Sequence, residues 1–312
     1  MRTRILDLDG GVRRQVALLR RTRAEVIPLG DWGPRIRLAC SHGAFARFES
    51  RLAQLTGDNR ESERCLNFVG SGDFHHVSLA LLRRLRGPFN LLVLDKHPDW
   101  MRGVPLLHCG TWLWHAAQLP GLQRIYHLGG AMDFDNAYRW LAPWPLLRSG
   151  KLVVAPALHS FRGRWWKKIR HSPLRRSPER PLSRADLEDW LAPHHADLAS
   201  WPLYISLDKD VLSAHDAAVN WDSGYLRVPE VFVILDAFLD AANERLEGMD
   251  VVGDWSPIRV NGWLRRFLDW SEHPPLCVGP NEATRCNEGM NLRLYERLSH
   301  GGLHTRQLTR AA

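Results

Sequence analysis

Two apolar runs in this chain end in clustered carboxylates, and that arrangement constrains the fold more than any other feature. Leu91–Leu94 leads into Asp95-Lys96-His97-Pro98-Asp99, and Leu203–Leu207 leads into Asp208-Lys209-Asp210. Short continuous apolar runs read as strands of a sheet covered on both faces. Carboxylates at such strand ends are costly to desolvate unless something cationic compensates them. Two strands that both deliver carboxylates point to a divalent metal centre, with two ions sharing ligands.

The rest of the chain fits that sheet. Apolar runs recur at Leu66–Val69, Arg124–Leu128, Leu152–Ala155 and Asp250–Val252. Apolar residues at helical spacing fall between them, over Val77–Leu85, Thr111–Gln118, Phe134–Leu141, Ala185–Leu191 and Pro229–Ala242. Ser183 with Asp186 has the pattern of a capped helix start, and Pro229 suits a first helical turn. This alternation predicts an α/β fold with a mainly parallel sheet covered on both faces. Ligands of such sheets gather at the carboxyl ends of the strands, where both carboxylate clusters lie. No repeat or long linker interrupts the 312 residues, so a single domain spanning 1–312 is expected.

A net charge of +8 would suggest a nucleic-acid partner if it were spread over the fold. It is not. Nine basic residues between Arg162 and Arg184 stand against the single acid Glu179, and nine minus one equals the whole excess. With Pro173, Pro178 and Pro181, the stretch reads as a basic insert at about 161–184. Trp165-Trp166 beside Lys167-Lys168 leaves nucleic acid or an anionic membrane surface open as partners. A solvated insert or a homo-oligomer contact is the stronger reading. Five cysteines without a CxxC pair argue against a disulfide framework and a structural zinc site. No run reaches the ~20 apolar residues of a membrane span, and Met1–Arg23 lacks the apolar core of a signal peptide. The expected location is cytoplasmic.

Residues i and i+2 of a strand share a face, so Asp95 with His97, and Asp208 with Asp210, are expected to point the same way. Lys96 and Lys209 then turn to the opposite side, to pair with carboxylates there. Pro98 ends ladder pairing and lets Asp99 curl back. A third element, Gly70-Ser71-Gly72-Asp73-Phe74-His75-His76, supplies a histidine at a glycine-loosened strand-to-helix turn, with His75 and His76 as rivals. Mixed oxygen and imidazole ligation suits manganese, with iron, cobalt or zinc as alternatives, better than calcium.

Taken in order, GSGDFHH (70–76), DKHPD (95–99) and SLDKD (206–210) resemble the motifs of the arginase–agmatinase (ureohydrolase) superfamily. The resemblance runs from about residue 66 to 257. It implies a three-layer α/β/α sandwich around a mainly parallel, roughly eight-stranded sheet. It also implies two manganese ions held by His76, Asp95, His97, Asp99, Asp208 and Asp210, with Asp95 and Asp208 bridging them. The implied activity is hydrolysis of a linear C–N bond in a guanidino, amidino or amide small molecule. Two divalent ions lower the pKa of a shared water toward neutrality, and the resulting hydroxide is the attacking group. Asp99 would orient it.

The departures from that pattern surround the substrate. Where the family often carries His-Gly after its second motif, this chain has His108-Cys109-Gly110, making His108 the candidate proton shuttle and Cys109 a lining residue. Asp254, in Asp254-Trp255-Ser256-Pro257, stands in place of the family's guanidinium-binding glutamate and is the candidate to hold a cationic or NH-bearing group. Trp100, Trp112, Trp221 and Trp255 could wall an aromatic pocket, with Trp221 and Trp255 as substrate contacts. Three alternative readings follow: a deacetylase-type amide hydrolase on the related fold, a catalytically silent metal-binding protein, and a nucleic-acid-binding protein using the basic insert.

Overall fold

Alternate side chains of the central strands enter two different cores. Leu92 and Leu94 pack into one buried cluster and Leu91 and Val93 into another, each fully buried, which is why these strands read as unbroken apolar runs. The computed structural model describes residues 1–57, 64–103, 105–133, 140–160, 172–174, 181–258, 273 and 278–308. Its strands are β1 (Arg2–Asp7), β2 (Glu25–Pro28), β3 (Ala39–Cys40), β4 (Cys65–Gly70), β5 (Phe89–Leu94) and β6 (Leu107–His108). They continue with β7 (Leu122–Leu128), β8 (Ala131–Asp133), β9 (Leu152–Ala155), β10 (Leu158–Ser160), β11 (Leu203–Asp208) and β12 (Leu246–Val252). Eight of them form one sheet in the order β2-β1-β4-β12-β11-β5-β7-β9, with every pairing parallel.

Helices Arg184–Leu191, Val228–Ala241 and Pro280–Leu308 contribute to the core on one face. Helices His42–Thr56, Val77–Leu82 and Trp112–Ala116 contribute to the core on the other. The result is the sheet covered on both faces that the alternation predicts, as the three-layer α/β/α sandwich that the resemblance implies. Ser183 Oγ accepts from Asp186 N at 3.1 Å, so the helix start read from the sequence is capped as expected. Strands β1 and β2 were not legible as apolar runs. Arg4 sits inside β1 at 3% exposure, and its Nε reaches Glu25 of β2 at 3.1 Å. Residues 134–139 of the expected helix Phe134–Leu141, and 161–171 and 175–180 of the basic insert, lie outside the described residues.

Register positions the site. Leu207 pairs with Leu94, Asp208 with Val252, and Val252 with Gly70. The ends of β4, β12, β11 and β5 therefore form one line in the middle of the sheet. β12 and β11 separate β4 from β5, which opens the crevice where parallel sheets bind ligands.

Candidate metal centre

The carboxylates converge through turns and not through the pleat. Residues 95–99 lie beyond β5, and Lys209–Val211 forms a 3-10 turn, so the i, i+2 strand relation does not apply to either motif. Instead Asp95 Oδ1 accepts from His97 N at 2.6 Å and Asp208 Oδ1 from Asp210 N at 3.0 Å. Lys96 N donates to Asp210 Oδ1 at 3.0 Å and ties the two motifs together. Asp99 follows Pro98 with φ +51°, a left-handed conformation that aspartate tolerates better than most residues. Two glycines let the backbone close on Asp208. A Cβ at Gly72 would lie 2.8 Å from its Oδ2, and one at Gly253, where φ is +91°, would lie 2.5 Å from its Oδ1.

His75, and not His76, is the histidine in this cluster. Its Nδ1 lies 2.9 Å from Asp99 Oδ2, 3.1 Å from Asp95 Oδ2 and 3.6 Å from Asp208 Oδ2. On the other side, His97 Nδ1 lies 2.7 Å from Asp210 Oδ2 and 3.9 Å from Asp95 Oδ1. Asp95 thus belongs to two ligand groups, His75–Asp95–Asp99 and Asp95–His97–Asp210. The 3-10 turn Gly72–Phe74 rotates the chain so that His75 faces the carboxylates. The His76 ring lies 5.8 Å from the Phe45 ring, and burial pushes its pKa down to about 3.

The electrostatics favour a cation. Burial, then the charge of Asp210, raises Asp208 well above the usual carboxylate range, and burial and Asp95 raise Asp210. Burial opposes charge on His75 and His97, but the surrounding carboxylates win and hold both imidazoles well above the ordinary histidine range. Counted as ionised, Asp95, Asp99, Asp208 and Asp210 outnumber two imidazoliums by two charges, and burial drives Asp208 and Asp210 toward their neutral forms unless a cation balances them. His75 Nδ1 and Asp95 Oδ2 are buried without a hydrogen bond of acceptable geometry, although they face each other. Convergent ligand atoms, uncompensated negative charge and orphaned lone pairs fit divalent metal ions. His75, Asp95, His97, Asp99, Asp208 and Asp210 are the residues that would hold them.

Lys209 turns away as expected, but Lys96 does not: its partner Asp222 is a carboxylate that also touches His97. Lys96 pairs with Asp222, and Lys209, fully buried, lies 2.8 Å from Asp254 Oδ1. That second pairing changes the position of the expected substrate acid. Asp254 Oδ1 also receives Gln15 Nε2 at 2.5 Å and Asn291 Nδ2 at 3.2 Å, so the carboxylate is engaged in an internal network. His108 is half-buried, and its Nδ1 accepts from Gly110 N at 3.0 Å. Burial raises the Cys109 thiol, and the charges of Asp99 and Asp73 raise it further, so it stays protonated beside the cluster. Trp221 stacks edge-on at 5.3 Å from His97, and Trp112 lies 4.7 Å from His75 while donating to Asp99 Oδ2 at 2.8 Å. Trp100 is one layer out, against His127. Among the described contacts none joins Trp255 to the ligands; its N binds Ala218 O.

Two further acids escaped the sequence reading. Asp222 Oδ1 lies 3.3 Å from His97 Nε2, and nothing in Trp221-Asp222-Ser223 marks it. Asp73 stands inside the first motif and could have been singled out there. Burial opposes its charge, but Arg37 at 2.6 Å and His273 at 2.8 Å hold its pKa down to about 2. Trp221 Nε1 donates to the same carboxylate at 2.9 Å.

The sheet order and the site at its centre can be set beside known proteins. A formimidoylglutamase from Bacillus subtilis superposes with a TM-score of 0.56 at 12% identity, covering 97% of this chain and 87% of that one. An arginase from Bacillus caldovelox gives 0.55 at 14% identity, covering 93% and 97%. This chain has the arginase, or ureohydrolase, fold. Proclavaminate amidino hydrolase from Streptomyces clavuligerus also superposes on the arginase-like fold, at 0.51 and 16% identity over 93% and 91% of the two chains. No family model matches the sequence. An uncharacterized protein of Thermotoga maritima is 22% identical over 193 residues, 62% of this chain and 59% of that relative's own length. Among the described residues no helix is long and apolar enough to cross a membrane.

Proposed function

We propose that this protein is a dinuclear-metal hydrolase, with manganese as the metal, that cleaves a linear C–N bond of a small amidino, guanidino or amide substrate. The observation that carries the reading is the convergence of four buried carboxylates and two histidine Nδ1 atoms at the ends of neighbouring parallel strands. The shared fold of an arginase, a formimidoylglutamase and a proclavaminate amidino hydrolase supports the reaction class. When bound, the ions supply Lewis acidity that makes water a nucleophile at neutral pH.

The chain's own residues supply orientation and proton handling. Trp112 Nε1 holds Asp99 Oδ2, which fixes that carboxylate beside the reacting centre to orient a nucleophile. His108 accepts Gly110 N at Nδ1, so its neutral ring carries the proton at Nε2, where it can pass to a leaving nitrogen. Cys109 lines the site as a neutral thiol, and Trp221 forms a wall over His97. Asp254 is already neutralised by Lys209. Its Oδ1 is shared with Gln15 and Asn291, and only Oδ2 is left without a partner, so a single carboxylate oxygen is available to an NH-bearing group.

The test is a release assay on manganese-reconstituted protein. Ammonia, urea, formamide and acetate would be followed over guanidino, formimidoyl and acylated amines. Turnover of one of these classes, with Asp208→Asn inactive, is the expected result. Acetate release alone would move the assignment to the deacetylase-type reaction. No release from any class, with manganese bound, would leave a catalytically silent metal protein.

A further inference from the structure

Behind the ligand cluster, the far edge of the His75 ring meets a buried polar chain to which the proposed reaction assigns no part. His75 Nε2 lies 3.0 Å from Ser206 Oγ, and Ser206 Oγ lies 2.8 Å from Asp250 Oδ1. Ser78 Oγ reaches the same carboxylate oxygen at 2.8 Å. Ser78, Ser206 and Asp250 are fully buried and His75 is 1% exposed. The sheet builds this contact directly, because Ser206 of β11 is the register partner of Asp250 of β12. A carboxylate in mid-strand, between Met249 and Val251 in the core, is costly to bury and calls for an explanation.

Counting protons gives one. An ionised carboxylate oxygen only accepts, so Ser206 directs its hydroxyl proton to Asp250 Oδ1 at 2.8 Å in preference to Ser78 Oγ at 3.4 Å, and offers His75 a lone pair. The hydrogen between His75 and Ser206 must then sit on Nε2. In the neutral ring, Nδ1 is left as a bare lone pair, and it is Nδ1 that faces Asp95, Asp99 and Asp208. We infer that Asp250, acting through Ser206, is a positioning residue that fixes the Nε2–H form of His75 and so makes its Nδ1 a metal ligand. The inference rests on the metal-hydrolase reading. Its logic is general, since the free ring nitrogen of a ligating histidine is held by a partner that sets tautomer and orientation.

The test uses the full chain with Ser206→Ala, Ser206→Thr and Asp250→Asn. Manganese affinity is measured by calorimetric titration. The tautomer is read from long-range proton–nitrogen spectra of zinc-loaded, nitrogen-15 histidine-labelled protein. Wild type is expected to show His75 as Nε2–H. Ser206→Ala is expected to weaken manganese binding by roughly 10–100-fold, with Ser206→Thr, which keeps the hydroxyl, restoring it. In Asp250→Asn the amide can donate to Ser206, turn its hydroxyl toward Nε2 and lower affinity without a change in side-chain size. This variant decides the matter if Ser206→Ala fails to fold. Wild-type affinity and an unchanged Nε2–H signal in either variant would overturn the inference and leave the metal site standing. A wild-type protein that takes up no manganese would overturn both.

Discussion

Asp208 is gripped from two sides, by Gly72 and Gly253, while its Oδ1 caps Asp210 N. Asp208→Asn keeps the shape but removes the charge. The expected outcome is loss of bound manganese after desalting, read by mass spectrometry of the metal, with the fold retained. Full retention of manganese would refute the site. Lys209 and Asp254 form a buried pair, 0% and 1% exposed at the side chain. Lys209→Met should cost about 3–5 kcal/mol, because it strands a buried carboxylate. Lys209→Met with Asp254→Asn should recover much of that, and urea midpoints would show whether it does. The carboxylate ligands were legible because four aspartates in two short motifs have few other reasons to end apolar strands. The choice of His75 over His76 was not legible, because it depends on the rotation of a 3-10 turn. Nor was the capture of Asp254 by Lys209, which joins residues 45 positions apart.

At the scale of the element, the end of β12 comes so close to β11 that the chain has no room for a side chain at Gly253. Gly253→Ala combines a left-handed φ with a contact on Asp208, and should destabilise the protein by about 1–3 kcal/mol. Unlike a plain packing defect, it should also weaken manganese binding, so denaturation and metal titration together distinguish the two. The central strands were readable because burial on both faces demands unbroken apolar residues. β1 and β2 were hidden for an equally physical reason: Arg4 is buried in β1 with Glu25 as its partner, so the run is broken in sequence but not in space. The motif residues also sit past their strands, in turns. Pleat periodicity gave the right neighbours through the wrong geometry.

At the scale of the molecule, ligands from β4, β5 and β11 connect segments far apart in sequence, so metal and fold should stabilise each other. Manganese at 100 times its dissociation constant adds about 2.7 kcal/mol. For a domain of this size that is roughly 4 °C in melting temperature. Calorimetry with manganese and after chelation measures it, and identical melting curves would contradict a metal site that spans the sheet. The sequence alone determined the layer architecture and the carboxylate inventory, since both are written in local runs of apolar and acidic residues. The tertiary structure decided which histidine faces the carboxylates, which acid is already neutralised, and which buried carboxylate stands behind His75. Those outcomes depend on strand register and turn rotation, and these are set by packing between elements that no local pattern encodes.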